Sequence, residues 1–193
     1  MAESLKIDRL KQALGTGVRS NLFRIVFTPP PAVPIDPTNA EKISLLVRSA
    51  QIPGTSLASI EVPFRGARLK IPGDRTFDPW TVSIYNDQDM RYRTLFETWS
   101  NGLKGFVSNV SSDDPSQYYC GIDIYQLNNQ GEDIGQPWKL VDAWPGDITA
   151  IDLSSDNENA VSDFSVTFQY QYWTHNVGPG VGTDGQNAGG GGA

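Results

Sequence analysis

Apolar residues fall at every second position through most of this chain, the period of strands with one dry and one wet face. The longest run is Val161–Thr174, where Phe164, Val166, Phe168, Tyr170 and Tyr172 alternate with Asp163, Ser165, Thr167, Gln169 and Gln171. Trp80–Asn86 repeats the pattern, with Trp80, Val82 and Ile84 on one face and Thr81, Ser83 and Tyr85 on the other. Asn21–Phe27, Lys42–Gln51, Tyr118–Leu127, Pro137–Trp144 and Asp147–Leu153 read as further strands; in Lys42–Gln51, Ile43, Leu45 and Val47 share a face opposite Ser44 and Arg48. In SLASIEVPFRGARLK, Leu57, Ile60, Val62 and Phe64 precede Gly66 and the basic set Arg65, Arg68 and Lys70. This predicts a long hairpin whose basic second limb projects from the domain.

Helical spacing occurs twice. Asp87–Ser100 sets Met90, Leu95, Phe96 and Trp99 on one face, with Asp87 or Asp89 as N-cap and Gly102 just past the end. Ser4–Leu14 carries Leu5, Ile7, Leu10 and Leu14 among charges and stops at Gly15 and Gly17. It predicts a short amphipathic helix that packs on its own domain in preference to a neighbour.

Turn chemistry separates these elements. Pro72 and Gly73 suit a type II turn, in which Pro presets φ and Gly supplies the positive φ, and Ile52, Pro53 and Gly54 repeat that logic. Pro79 has no N–H to offer a ladder and suits the first position of the strand at Trp80. Pro29, Pro30, Pro31, Pro34 and Pro37 predict an extended surface loop over Thr28–Ala40. Residues 178–193 are glycine-rich and predict a disordered tail. The expected organisation is an N-terminal arm over 1–19, one β domain over 20–175 and a flexible tail over 176–193.

With 193 residues and 38% hydrophobic content, one domain with an adequate core is expected. Cys120 has no second cysteine to pair with and His175 is the sole histidine, so neither a disulfide framework nor a Cys/His metal site can be assembled. The N-terminus mixes charges throughout and no apolar run approaches a membrane span, which predicts folding in a cytoplasm without membrane insertion. A formal charge of −7 argues against ordinary nucleic-acid binding. The charge is uneven: 11 Lys and Arg stand against 6 Asp and Glu in residues 1–75, and 4 against 16 in residues 76–193, giving +5 and −12.

Candidate catalytic chemistry fails on inspection. Gly180, Gly182 and Gly185 satisfy GxGxxG, but neither the helix nor the following strand of a dinucleotide site has room after them. Asp152, Asp156 and Glu158 lack the glycine and terminal glutamate of an EF-hand. No GxSxG elbow surrounds any serine, and nothing selects one carboxylate pair over another.

One segment is more specific. GDRTFDPWTVSIYND, residues 73–87, closely resembles the corresponding segment of the tail tube proteins of contractile-tailed, T-even-type bacteriophages. NLFRIVF, the IPG turn, the hairpin leading into GDRTFDPWTV, the amphipathic helix and DFSVTFQYQYW follow in that family's order, so the resemblance runs from about Ser20 to Trp173. The triple proline and the glycine-rich tail depart from it. The resemblance implies a mainly β fold, two packed antiparallel sheets forming a β-barrel-like or sandwich domain with one flanking helix and a short N-terminal helix. It also implies a structural subunit of the virion, assembling in hexameric rings stacked head to tail into a hollow conduit for genome delivery, after synthesis in the host cytoplasm. Implied partners are further copies, the tail sheath protein, baseplate and tail-terminator proteins, and a tape-measure protein and DNA held in the lumen without specific binding; no cofactor, metal or catalytic residue is implied.

On this basis Arg65, Arg68, Lys70 and Arg75 are expected to meet an acidic surface of the next ring that includes Asp156 and Glu158. Asp74, Arg75, Asp78 and Trp80 are expected to brace the junction where the hairpin re-enters the sheet, the charged members through local ion pairs and hydrogen bonds. Competing expectations are a tube subunit of a phage-like contractile injection or secretion system, and a carbohydrate-binding β-sandwich using five Trp and seven Tyr as sugar platforms.

Overall fold

The computed structural model describes residues 7–15, 17–28, 30–31, 33, 37–106, 114, 117–154 and 161–175. Along the chain these form α1 (Ile7–Leu14), β1 (Phe23–Thr28), α2 (Pro37–Leu46), β2 (Val47–Ala50), β3 (Ser56–Phe64), β4 (Ala67–Thr76), β5 (Trp80–Tyr85), α3 (Arg91–Leu103), β6 (Cys120–Gln126), β7 (Trp138–Ile148), β8 (Asp163–Gln169) and β9 (Tyr172–His175).

Seven strands make two antiparallel sheets that share β7. The first half of β7 lies between β6 and β9, with β1 beyond β6; its second half pairs with β8, followed by β5 and β2. β7 turns from one sheet to the other around Asp142, whose φ is +54°, with a register slip at Pro145/Asp147. A bulge of this kind bends a strand and tolerates a proline that has no N–H for the ladder. The path ends at β1 on one side and β2 on the other, so the sheets form a sandwich and not a closed barrel. α2 packs on β1, where the Ser44 hydroxyl donates to the Ile25 carbonyl.

The core lies between the sheets and under α3. Phe168 is fully buried, and its ring centroid lies 6.0 Å from Phe27, 5.8 Å from Trp80, 6.1 Å from Phe96 and 5.9 Å from Trp99. One ring on β8 therefore touches β1, β5 and two turns of α3. The alternating faces of β5 and β8 are those the sequence predicts: Trp80, Val82, Ile84, Phe164, Val166 and Phe168 are all buried. Burial also pushes the Cys120 thiol pKa well up, consistent with packing and not reactivity.

The structure corrects several local expectations. Lys42–Gln51 is not one strand: α2 runs to Leu46 before β2 begins. Ile43 is buried, Leu46 half-buried and Leu45 84% exposed, the i, i+3 spacing of a helix in a run too short for its period to decide. Pro37 opens α2, where its missing N–H costs nothing, so the proline-rich loop is shorter than expected. Pro137–Trp144 and Asp147–Leu153 are replaced by the single bent β7 with residues 149–154 irregular, and Val161–Thr174 is split at Tyr170 and Gln171.

α3 departs from expectation at both ends. Met90 occupies the N-cap with φ +52°, while the Asp87 carboxylate accepts the Arg91 backbone N–H at 2.9 Å. Gly102 does not stop the helix, which continues to Leu103. Its role is proximity, since a Cβ there would lie 2.7 Å from Tyr118 Cε1. Alanine is worth about 1 kcal/mol over glycine inside an exposed helix. Gly102→Ala is nevertheless expected to lower the melting temperature, and in a Tyr118→Ala background the same change raises it; a stabilising Gly102→Ala in the otherwise native chain would refute the contact.

Candidate functional site

The hairpin β3–β4 stands apart from the sandwich. Its strands pair only with each other, and the chain reverses at Arg65 and Gly66, φ +45° and +86°. Positive φ at both central residues is what a tight type I′ hairpin requires. Pro72 and Gly73, expected to make a turn, lie inside β4 at a bulge. Gly73 is needed there for close approach, because a Cβ would meet the Ala58 carbonyl oxygen at 3.2 Å and Ile60 Cγ1 at 3.1 Å.

Register gives the ribbon two different faces. Ile60 opposes Ile71, Val62 opposes Leu69 and Phe64 opposes Ala67; between these, Glu61 opposes Lys70 and Pro63 opposes Arg68. Directly opposed residues share a side of a sheet, so one face is apolar and the other charged. Both are in solvent: Ile60, Val62, Phe64, Leu69 and Ile71 are all exposed. On the charged face Arg68 reaches Glu61 at 2.8 Å and Lys70 the same carboxylate at 3.7 Å; at the turn the Arg65 guanidinium lies over the Phe64 ring, 5.3 Å from its centroid. A two-stranded ribbon with an uncovered apolar face is marginal by itself in water.

Two tethers, residues 51–55 and 77–79, join the ribbon to the body, and side chains clamp both. The Trp80 indole N–H donates to the Gln51 carbonyl at 2.6 Å and that of Trp173 to the Gly54 carbonyl at 3.0 Å. The Phe77 ring lies 6.1 Å from that of Tyr170. Burial, and secondarily the Asp78 charge, raise the pKa of the Tyr170 hydroxyl, which has no hydrogen-bond partner among the described residues.

The residues expected to act at this site are distributed as follows. Arg65, Arg68, Lys70 and Arg75 are all exposed on the hairpin; Arg75 opposes Leu57 below the bulge. Asp156 and Glu158 lie outside the described residues, as do Gly180, Gly182 and Gly185. Trp80 is buried as expected, but Asp74, Arg75 and Asp78 are exposed and make no ion pair with one another or with other described residues, so the local pairing expected at the junction is not formed within one chain. Sequence reading found the basic residues and missed the apolar face behind them. The signal was present, since Leu69 and Ile71 alternate with Arg68 and Lys70 as Ile60, Val62 and Phe64 do with Glu61 and Pro63.

Strand direction sets the other end of the body. β5 starts beside the hairpin tether and runs to Tyr85, so residues 86–90, 149–154 and 161–162 lie at the far end of its sheet. That end carries exposed Asp89 and Asp152 and the exposed apolar residues Leu153 and Val161. The outward face of the same sheet is polar: Thr81 and Thr167 hydroxyls lie 3.0 Å apart, Ser83 donates to Asp163 at 2.9 Å, and Asp163 also takes Arg48 at 2.9 Å.

Other chemistry finds little support in the geometry. Among the described residues no three His, Cys, Asp or Glu side chains cluster as a metal site would require, and no helix is long and apolar enough to cross a membrane. None of the five Trp offers an open sugar platform: Trp80 and Trp99 are buried, and Trp138, Trp144 and Trp173 are half-buried.

Known proteins are similar to this chain. The tail tube protein gp19 of Enterobacteria phage T4 is 23% identical over 169 residues, covering 86% of this chain and 98% of the relative. The tail tube protein of Serratia phage KSP90 is 26% identical over 128 residues, 66% of this chain and 72% of the relative. Among solved structures, a chain of an extracellular contractile injection system, the PVC sheath–tube complex in its extended state, superposes with a TM-score of 0.54 at 14% identity, covering 89% of this chain and 97% of that one. A chain of the anti-feeding prophage baseplate gives 0.56 at 13% identity, covering 81% and 93%, so both show the same fold. Residues 18–176 match the family described as phage tail tube protein, a span that takes in both sheets, the hairpin and α3, and the chain belongs to that family as a structural tail tube subunit.

Proposed function

We propose that this subunit assembles into hexameric rings that stack head to tail as a hollow tube, through which a phage genome passes, and that the hairpin is the contact between rings. The observation that carries this is the uncovered apolar face of Ile60, Val62, Phe64, Leu69 and Ile71. The hairpin end and the far end of the sheet are different surfaces on every copy, and a contact between unlike surfaces propagates without closing. Phe64 and its neighbours then lie against Leu153 and Val161 of the next copy. Arg65, Arg68, Lys70 and Arg75 face its acidic end, with Asp152 and, a few residues on in the sequence, Asp156 and Glu158. Complementary fields of this kind set polarity and register more than affinity.

Exposed charge pairs within one chain contribute little to its stability. Arg65→Glu with Arg68→Glu is therefore expected to leave the melting temperature within about 2 °C of native, the scale of ordinary surface substitutions, and to stop tube elongation. Undiminished tubes by negative-stain electron microscopy would sink the proposal. Asp74 and Asp78 complete the junction in the assembled state by pairing with a neighbouring copy.

The polar outward face of the β2–β5–β8 sheet suits a lumen that a polyanion traverses without being held. Its cation Arg48 is neutralised by Asp163, so it offers phosphates no counterion-releasing contact. In the virion the sheath and the baseplate or terminator proteins cover the outside and ends, and the subunit carries out no reaction. A second reading is favoured by the shared fold of the injection-system chains: the same tube carrying protein cargo. Nuclease-protected phage DNA inside purified tubes would separate the two.

A further inference from the structure

The sandwich is open where β2 gives way to the first hairpin tether. A cavity of about 330 Å³ lies there between Phe23, Ile124 and Gln126 of one sheet and Ala50, Gln51 and Ile52 of β2 and the tether. Its floor belongs to the core: Ile124 is buried, and Phe23 and Ala50 are half-buried against the same cluster. Ile52, on the tether, is 50% exposed. α1 does not fill the opening, since its Leu14 end borders Asn128 and Ile134 instead.

Sheet register brings the end of β9 to this opening. Ile25, Ile124, Trp138 and His175 form one row across β1, β6, β7 and β9. Directly opposed residues share a side of a sheet, and Ile25 and Ile124 are buried, so His175 faces inward. Its ring stacks on Trp138 at 4.3 Å, and its Nδ1 is buried with no hydrogen-bond partner among the described residues. Two strand spacings separate His175 from Ile124, about 10 Å. An extended residue covers about 3.3–3.6 Å, so three residues suffice to reach the cavity. The residues that follow have the side chains to fill it. Val177, Pro179 and Val181 alternate with Gly178, Gly180 and Gly182, and the two valines are the only large apolar side chains between His175 and Ala193. An extended run of this kind has one apolar face and a bare reverse. Ordering it costs entropy, and the fixed φ of Pro179 reduces that cost.

We propose that residues 177–181 fold back from β9 into this cavity of the same chain, Val177 and Val181 covering Phe23, Ala50, Ile52 and Ile124, with a backbone group of the segment beside His175 Nδ1. The occupant is the chain's own segment because only six residues carry the chain from His175 to Val181. So short a tether gives an effective concentration of about a millimolar or more, which the same segment of another copy lacks. The strap holds the first hairpin tether at a third point, beside the carbonyls clamped by Trp80 and Trp173. It goes beyond the tube reading and is tested on dispersed subunits.

The test is a cysteine pair, Ile52→Cys with Val181→Cys, under a mild oxidant; Cys120 is buried and does not compete. A non-reducing gel is expected to show a faster-migrating monomer that reductant reverts. The bond forms at least tenfold faster than in Ile52→Cys with Ala188→Cys, where the longer loop by itself accounts for only about threefold. A ratio below tenfold means a loose tail and overturns the strap, and disulfide-linked dimers as the main product assign the cavity to a second copy and overturn it equally. Should the cysteine pair fail to fold, truncation after Asn176 decides: hydrogen exchange at the Gln51 and Ile52 amides is expected to rise at least tenfold over the native chain, and unchanged exchange overturns the proposal.

Discussion

Val62→Asp leaves the subunit folded and abolishes tubes. Val62 sits at the centre of the apolar face of the hairpin, opposite Leu69, on a ribbon whose strands pair only with each other. A carboxylate there is solvated in the free subunit, so its melting temperature stays within about 2 °C of the native value. In the stacked state the same carboxylate is enclosed by apolar side chains of the next copy, and an unpaired buried charge costs several kcal/mol. That cost recurs at every stacking contact. Thermal melting together with negative-stain electron microscopy and sedimentation checks the result; tubes of native length from a normally folded variant would remove the hairpin face from assembly.

Phe168→Ala has the opposite signature, a large loss of stability. Its ring joins β1, β5 and α3 at centroid distances of 5.8–6.1 Å, and no solvent reaches it. Removing it leaves a cavity between elements held by their own ladders and unable to collapse, for which about 3–5 kcal/mol is the usual loss. Domains hold only about 5–15 kcal/mol in all. Urea unfolding followed by tryptophan fluorescence is expected to show the midpoint falling by at least about 1 M, given m-values of about 1–3 kcal/mol per molar. A loss below about 1 kcal/mol would mean the sheets are not joined through this ring.

Legibility in the sequence follows from how local each cause is. β5 and β8 could be read because their period-two pattern runs unbroken and depends on no other element. α2 could not, because Ile43 and Val47, four residues apart, satisfy both periods, with Leu45 completing a strand face and Leu46 a helical one, and its packing on β1, some twenty residues away, makes the choice. Gly73 and Gly102 were misread alike: each was assigned to backbone freedom, yet each admits a neighbour, Ala58 in one case and Tyr118 in the other. The ion pairs Arg24–Asp133 and Arg48–Asp163 span more than a hundred residues, so nothing local announces them. At the hairpin, composition revealed the charges on one face. Only the register, with Val62 against Leu69, revealed that the other face is apolar. That neither face is covered by the body is a tertiary fact.

The two indole clamps also decide how the body responds to force. A load on the hairpin along the strands enters through the tether at Phe77–Pro79 into β5, and through residues 51–55 into the carbonyls held by Trp80 and Trp173. β5 is bonded to β8 along its whole length, from Trp80 against Phe168 to Tyr85 against Asp163. A pull parallel to that ladder strains all its hydrogen bonds together and cannot peel them one by one. The subunit is thus built as a lap joint, strong along the direction of β5 and weak only to forces that lift the hairpin sideways.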